Sequence, residues 1–336
     1  MKAAVFHGAG RVDAGEWPRP TIGPGELLVK VRGCGLCGSD IAKIVDPATR
    51  APAVFGHEVV GDVADVGEGV AGFAPGHRVV VAHHVPCGEC HYCRRGSESM
   101  CREFKRSHLD PGGFAEYVRV PPANVRGATF RVPDHLGDEE ATFVEPLACC
   151  LRAVERARVQ PGDTVAVVGL GSIGCLFVQL LRRAGATVVG IDQDDARLVL
   201  ARGFEVEAAG PAEGAALVRR LSEGRGADHV VVTGGGAAVL PWTVETLRDG
   251  GAVHYFAGGG EAALPLALDA LYHRELTITA TYSSSPADLA EAFRLLVEGT
   301  VKVAGLITHR AKLSGVHDAM ELMRRRGTLK AYVTPT

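Results

Sequence analysis

The sequence predicts an α/β chain that combines a β-rich part with a doubly wound parallel sheet. Three observations carry this. The first third consists of short apolar runs at residues 27–31, 59–66, 78–82 and 115–120, cut by Gly23-Pro24-Gly25 and Ala74-Pro75-Gly76. No helical period of useful length appears there. After Pro146, strands and helices alternate, which argues a parallel sheet with helices on both faces. From Ser283 the pattern changes again, into a piece with too few apolar residues to form its own domain, so it is expected to pack back on another part of the chain.

Each element follows from its local pattern. Residues 147–158 read as a helix, closed by the turn Gln160-Pro161-Gly162-Asp163. Strands are expected at 164–168, 187–191, 228–232, 252–256 and 277–281, with a short weak one near 206–209. Helices are expected at 172–184, 194–202, 212–222 and 237–247. The last piece predicts amphipathic helices over 286–298 and 316–326 and a strand over 329–333. No internal repeat or low-complexity segment is present.

Composition narrows the function classes. The 336 residues carry 36 Lys and Arg against 39 Asp and Glu, a formal charge of −3, so no overall basic field recruits nucleic acid or an anionic membrane. Hydrophobic residues are 46% and charged residues 22%, as in a folded globular protein. No apolar run approaches the roughly 20 residues of a membrane helix. The apolar start of the chain is too short for a secretory signal. A cytoplasmic protein is expected, in which nine cysteines serve as metal ligands or core residues rather than disulfides.

Gly169-Leu170-Gly171-Ser172-Ile173-Gly174 follows a predicted strand and opens a predicted helix. In that setting the pattern predicts a dinucleotide site. Gly169 permits the tight turn, Gly171 lets a pyrophosphate reach backbone N–H groups, and Gly174 allows close helix–strand packing. With Ser172 and Ile173 at the helix start, the N-terminus offers donors and a positive dipole end. Asp192 ends the next strand, where an acid accepts hydrogen bonds from ribose hydroxyls and repels a 2′-phosphate, favouring NAD over NADP. The other reading of Asp192 is a cap for the helix that follows. Arg197 is the phosphate partner if the repulsion argument fails.

Two constellations suit metal. Cys87, Cys90, Cys93 and Cys101, spaced C-x2-C-x2-C-x7-C, close a tetrahedron around structural zinc. An iron–sulfur cluster is the rival. The second set is dispersed: Cys37, in Gly33-Cys34-Gly35-Leu36-Cys37-Gly38-Ser39-Asp40; His57 and Glu58, after Gly56; and Glu145, in Glu145-Pro146-Leu147. One thiolate, one imidazole and one or two carboxylates hold zinc with a position left open. Spacing alone makes this suggestive and no more. Cys34, Cys149, Cys150 and Cys175 read as small core residues.

Together these motifs, with Gly112-Gly113-Phe114-Ala115-Glu116-Tyr117 and Leu306-Ile307-Thr308-His309, run in the order found in the zinc-containing medium-chain dehydrogenase/reductase superfamily, which the chain resembles over nearly its whole length. Glu145-Pro146-Leu147 points to the polyol (sorbitol) and threonine dehydrogenase branch. The resemblance implies a GroES-like catalytic domain over 1–148 and 285–336, with a zinc lobe at about 86–102. It implies a Rossmann NAD-binding domain over 149–284, with the active site in the cleft. It makes Cys37, His57 and Glu58 ligands of a catalytic zinc, with Glu145 a ligand directly or through water, and places Ser39 beside the substrate oxygen. Many relatives carry His where this chain has Ala42, so the outward proton path here runs through water, the cofactor ribose or another histidine.

The resemblance thus implies two zinc ions per chain, NAD rather than NADP, and hydride transfer to or from a secondary hydroxyl of a polyol, sugar, cyclitol or amino-sugar. The alternatives are a threonine-type amino-alcohol dehydrogenase, a biosynthetic ketone reductase, and a non-enzymatic relative that binds NAD(H) without turnover. The free edge of strand 277–281 predicts a homodimer or homotetramer, as the resemblance also implies.

Overall fold

The computed structural model describes residues 1–258 and 267–336. They form two compact units, Met1–Ala148 with Ser284–Thr336, and Cys149–Ser283.

In the second unit, six parallel strands lie in the spatial order Glu207–Ala209, Thr187–Ile191, Thr164–Val168, Ala227–Val232, Leu247–Tyr255 and Thr277–Ala280. Counted along the chain this is third, second, first, fourth, fifth, sixth, the doubly wound order that places a ligand crevice at the carboxyl end of the first strand. All five residues of Thr164–Val168 are buried, so a continuous apolar run rather than an alternating one marks a strand covered on both faces. Ala166, Val189, Val230 and Val253 lie in one core cluster of this unit.

The first unit is built on a seven-stranded sheet. Leu27–Leu36 pairs antiparallel with Glu58–Val66, Tyr117–Val120 and Ala331–Thr334, so the terminal strand does pack back on the N-terminal part. Two register shifts between Leu27–Leu36 and Glu58–Val66 bend the pair. Gly35 is dictated by what faces it, because a Cβ there would lie 1.9 Å from the Glu58 carboxylate.

Three expectations are corrected. The first third does contain a helix of two turns, Gly38–Val45, in which only Asp40 and Ile44 are buried. Their four-residue spacing is helical, but one of the pair is an acid, so no apolar period announces it. The helix expected over 237–247 is instead a 3-10 turn, Gly236–Val239, followed by Leu240–Thr246. Pro241, in the first turn of that helix, can neither donate to an earlier turn nor continue one. Leu247–Tyr255 starts five residues before the expected strand, because Arg248–Gly251 bulges out of register while still following the sheet.

Candidate functional site

The four cysteines of the lobe converge. Cys87 Sγ lies 3.9 Å from Cys93 Sγ and 3.6 Å from Cys101 Sγ, and Cys90 Sγ lies 3.5 Å from Cys93 Sγ. Four thiolates about 2.3 Å from one tetrahedral ion stand roughly 3.8 Å apart. The lobe therefore fits zinc, with no position left for a substrate.

Cys37, His57 and Glu58 also meet, with one donor atom of each within 4.8 Å of the others. Local structure explains how. Cys37 caps the helix Gly38–Val45, and its N–H donates to Asp40 Oδ2 at 3.1 Å. Asp40 Oδ1 accepts from Gly56 N at 3.2 Å and faces His57 Nδ1 at 3.0 Å. One buried carboxylate thus sets the positions of two donors and leaves His57 Nε2 for a metal. Burial pushes the Asp40 carboxyl up, but His57 and the hydrogen bonds outweigh it and hold it below its usual value.

Glu58 is fully buried, and Lys330 Nζ lies 2.5 Å from each of its oxygens. The hydrogen bond goes to Oε1, and Oε2 shares the same ammonium through the ion pair alone. A thiol, an imidazole and a carboxylate that meet in one place are donors zinc takes, so the set fits zinc, with the Lys330 ammonium as the cation now paired with Glu58. Glu145, buried at the start of Val144–Ala157, is not one of the three clustered donors. It is near enough that its charge, after burial and the opposing pull of Lys330 and His57, helps raise the Glu58 pKa. Ser39 and Ala42 are both exposed on the helix Gly38–Val45.

The glycine loop has the form a pyrophosphate needs. Gly169 has φ +93°, and a Cβ there would meet Gly234 N and Thr233 Oγ1, each at 2.9 Å. A Cβ on Gly174 would lie 1.9 Å from Gly169 O, whereas one on Gly171 meets nothing within 4 Å. The helix Ser172–Arg183 begins at Gly171 with no side-chain cap, leaving backbone donors of its first turn for a ligand. Asp192 faces this loop. Its Oδ2 accepts from Leu170 N at 2.7 Å, its Oδ1 accepts from Asp194 N at 3.0 Å, and Arg197 stands 3.8 Å away. The helix Asp195–Arg202 is capped by Asp194, so Asp192 is not its cap.

Sequence reasoning missed a row of imidazoles beside the metal donors. The ring of His83 lies 4.5 Å from that of His57 and 3.7 Å from that of His84, which lies 5.2 Å from that of His108. Asp40, inside a quoted motif, and Lys330, 272 residues from Glu58, were also given no role.

The alcohol dehydrogenase GroES-like domain model matches residues 23–134, and the zinc-binding dehydrogenase model matches 172–298. The chain is 31% identical to sorbitol dehydrogenase of Halalkalibacterium halodurans, over 100% of this chain and 99% of that one. It belongs to the zinc-containing medium-chain dehydrogenase/reductase superfamily. Within that superfamily it falls in the polyol and threonine dehydrogenase branch. L-threonine 3-dehydrogenase of Bacillus licheniformis is 30% identical, over 95% of this chain and 94% of that one. Among solved structures, a zinc-binding dehydrogenase from Sinorhizobium meliloti 1021 bound to NADP is 30% identical with a TM-score of 0.88, over 99% of each chain. As a member, the chain is a zinc- and nicotinamide-dependent dehydrogenase acting on CH–OH groups. No helix among the described residues is long and apolar enough to cross a membrane.

Proposed function

We propose that this dehydrogenase transfers a hydride between NAD and a secondary hydroxyl of a polyol or sugar derivative. The observation that carries the reading is the convergence of Cys37, His57 and Glu58. The sorbitol dehydrogenase match over the full length supports the substrate class. Zinc, when bound there, supplies Lewis acidity that makes a hydroxyl more acidic, and the nicotinamide supplies the hydride acceptor.

The chain's own residues do the rest. Cys37, His57 and Glu58 hold the ion, and Asp40 fixes the first two in place. Glu145 adds negative charge beside Glu58 and completes the set directly or through water. Ser39 takes the substrate proton on its hydroxyl oxygen and passes its own onward, which a hydroxyl allows and a methyl does not. Gly169, Gly171, Ser172, Ile173 and Gly174 cradle the pyrophosphate. Asp192 has lone pairs beyond the two backbone bonds with which to accept a ribose hydroxyl. Arg197, beside it, leans on the same carboxylate. The lobe cysteines hold a second, structural zinc. Residues 1–148 and 285–336 carry catalysis, and 149–284 carry the cofactor.

The chain assembles as a homo-oligomer in this reading. Thr277–Ala280 is an edge strand, and Leu268 and Tyr272, just before it, are each 79% exposed. Light scattering tests this, a monomer mass at micromolar concentration being the contrary result. The catalytic reading is tested by incubating zinc-loaded protein with polyols, sugar alcohols and threonine, with NAD and NADP in turn, and following the reduced nicotinamide. Oxidation of polyols with NAD supports it; oxidation of threonine alone refutes the substrate class.

A further inference from the structure

The fold carries a lysine into the metal donors, and the sequence makes room for it. Lys330 precedes the terminal strand Ala331–Thr334, which runs antiparallel to Leu27–Leu36 with Ala331 opposite Leu36, Tyr332 opposite Gly35 and Val333 opposite Cys34. On the other side of Leu27–Leu36, Glu58 stands opposite Gly35. Residues two apart on a strand share a face, and so do residues paired across strands. Gly33, Gly35, Tyr332 and Glu58 therefore lie on one face of the sheet, and Lys330 continues the alternation.

Both glycines are required there. A Cβ on Gly33 would lie 2.0 Å from the Tyr332 hydroxyl, and one on Gly35 would lie 1.9 Å from Glu58 Oε2 and 3.1 Å from Lys330 Cε. The middle strand thus leaves a furrow, and Lys330 crosses it to Glu58. The lysine's backbone is held as well. Its carbonyl accepts from Thr308 N at 3.1 Å, His309 N at 3.3 Å and Thr328 Oγ1 at 3.2 Å.

Both charged side chains are buried, and the ammonium lies 2.5 Å from each Glu58 oxygen. An apolar pair of the same volume often serves a fold as well as a buried ion pair, or better, so stability alone does not account for this one. Glu58 has a second task, as one of three donors that meet within 4.8 Å. A carboxylate with both oxygens on one ammonium must give up at least one of them to take its place on an ion. Lys330 and a divalent cation are then rivals for one ligand, and their like charges also oppose each other.

We propose that Lys330 is a positioning residue of the metal centre: it holds Glu58 in the donor set when no ion is bound, shares the carboxylate with the ion when one is, and so sets how tightly this site takes zinc. This rests on the dehydrogenase reading, in which Cys37, His57 and Glu58 are ligands. Lys330 acts through Glu58.

The test measures zinc affinity at this site by chelator competition, in full-length wild type, Lys330→Met and Lys330→Arg with the lobe zinc in place. Affinity should rise about tenfold or more in Lys330→Met and stay within about threefold of wild type in Lys330→Arg, which keeps a cation. The melting temperature of Lys330→Met should fall further below wild type without zinc at this site than with it, because the ion replaces the missing partner of Glu58. A lysine that only packs would lower both melts alike and leave the affinity alone. An affinity unchanged or weakened in Lys330→Met overturns the proposal. Should Lys330→Met not fold, a crystal structure of zinc-loaded wild type decides. A Glu58 oxygen on the ion and off Lys330 Nζ supports the proposal, and both oxygens still on Lys330 overturn it. A wild type that takes zinc only in the lobe overturns the metal centre of the dehydrogenase reading and this proposal together, whereas zinc bound here with an affinity unmoved by Lys330→Met overturns this proposal alone.

Discussion

His57 Nδ1 lies 3.0 Å from Asp40 Oδ1, and the same carboxylate accepts the backbone N–H groups of Cys37 and Gly56. One acid thus fixes the imidazole's tautomer and orientation together with the backbone of the thiol ligand. Asp40→Asn places an amide N–H₂ where an acceptor is needed and removes the charge behind His57. Zinc affinity at this site should fall roughly 10–100-fold. Competition with a chromogenic chelator measures it, and an affinity equal to wild type would show that Asp40 does not support the metal.

The lobe should be separable from catalysis. Cys93→Ser removes one of four thiolates, whose sulfur lies 3.9 Å from that of Cys87 and 3.5 Å from that of Cys90. Zinc content should drop by one ion per chain and thermal stability should fall, because binding free energy at such a site is folding free energy. Cofactor binding by the remaining folded protein should persist. A variant that keeps its full zinc content would refute the assignment.

Asp192→Ala should weaken NAD binding by roughly 1–3 kcal/mol, as expected when a hydrogen bond to a charged acceptor is lost. It should also raise the relative use of NADP, by removing negative charge beside Arg197. Asp192 also ties down Leu170 N, so Asp192→Asn, which retains a carbonyl acceptor, serves as the control for loop structure. Titration of both cofactors by fluorescence distinguishes the roles. A wild-type preference for NADP would transfer the specificity role to Arg197.

Much of this architecture is legible in the sequence, for physical reasons. Thr164–Val168, Thr187–Ile191 and Arg78–Ala82 have the expected bounds, because strands buried on both faces or cut by Gly-Pro turns write themselves as apolar runs. The glycine loop and the lobe are legible because each needs its residues close together along the chain. The helix Gly38–Val45 is not, since its two buried positions include an acid. Lys330 reaches Glu58 only through the return of the terminal strand onto Leu27–Leu36. His83, His84 and His108 have no spacing code. Only the adjacency of His83 and His84 at the end of Arg78–Ala82, just before the lobe, offered a signal.

Acid should loosen the second unit through a buried relay. Asp163 Oδ2 accepts from His229 Nε2 at 3.2 Å, so His229 Nδ1 accepts from His254 Nε2 at 2.9 Å, and His254 Nδ1 accepts from Thr279 Oγ1 at 2.7 Å. In this order each ring donates one hydrogen bond and accepts one. Burial, and then the His229 charge, lower the His254 pKa to about 4. The unfolded chain, with His near 6.5, binds the proton that the folded one refuses. Stability from this group is therefore complete above about pH 6.5 and is lost as pH falls toward about 4, by up to about 1.4 kcal/mol per pH unit. Thermal melts of wild type and His254→Gln across that window check it. Parallel curves for the two would contradict the relay.

Ser39→Ala should lower turnover by roughly 10²-fold or more, in line with positioned proton transfer. Ala42→His, one turn along the same exposed face, should change the pH dependence of turnover more than KM. Stopped-flow pH profiles of both variants report this, and two profiles indistinguishable from wild type would send the proton by another route.

The most direct test of the account is zinc counted per chain by mass spectrometry in wild type and His57→Ala, each then assayed for polyol oxidation and cofactor binding. Two donor clusters predict two ions in wild type. They predict one ion in His57→Ala, with cofactor binding kept and turnover abolished. A His57→Ala protein that retains both ions, or that oxidises polyols at the wild-type rate, would contradict it.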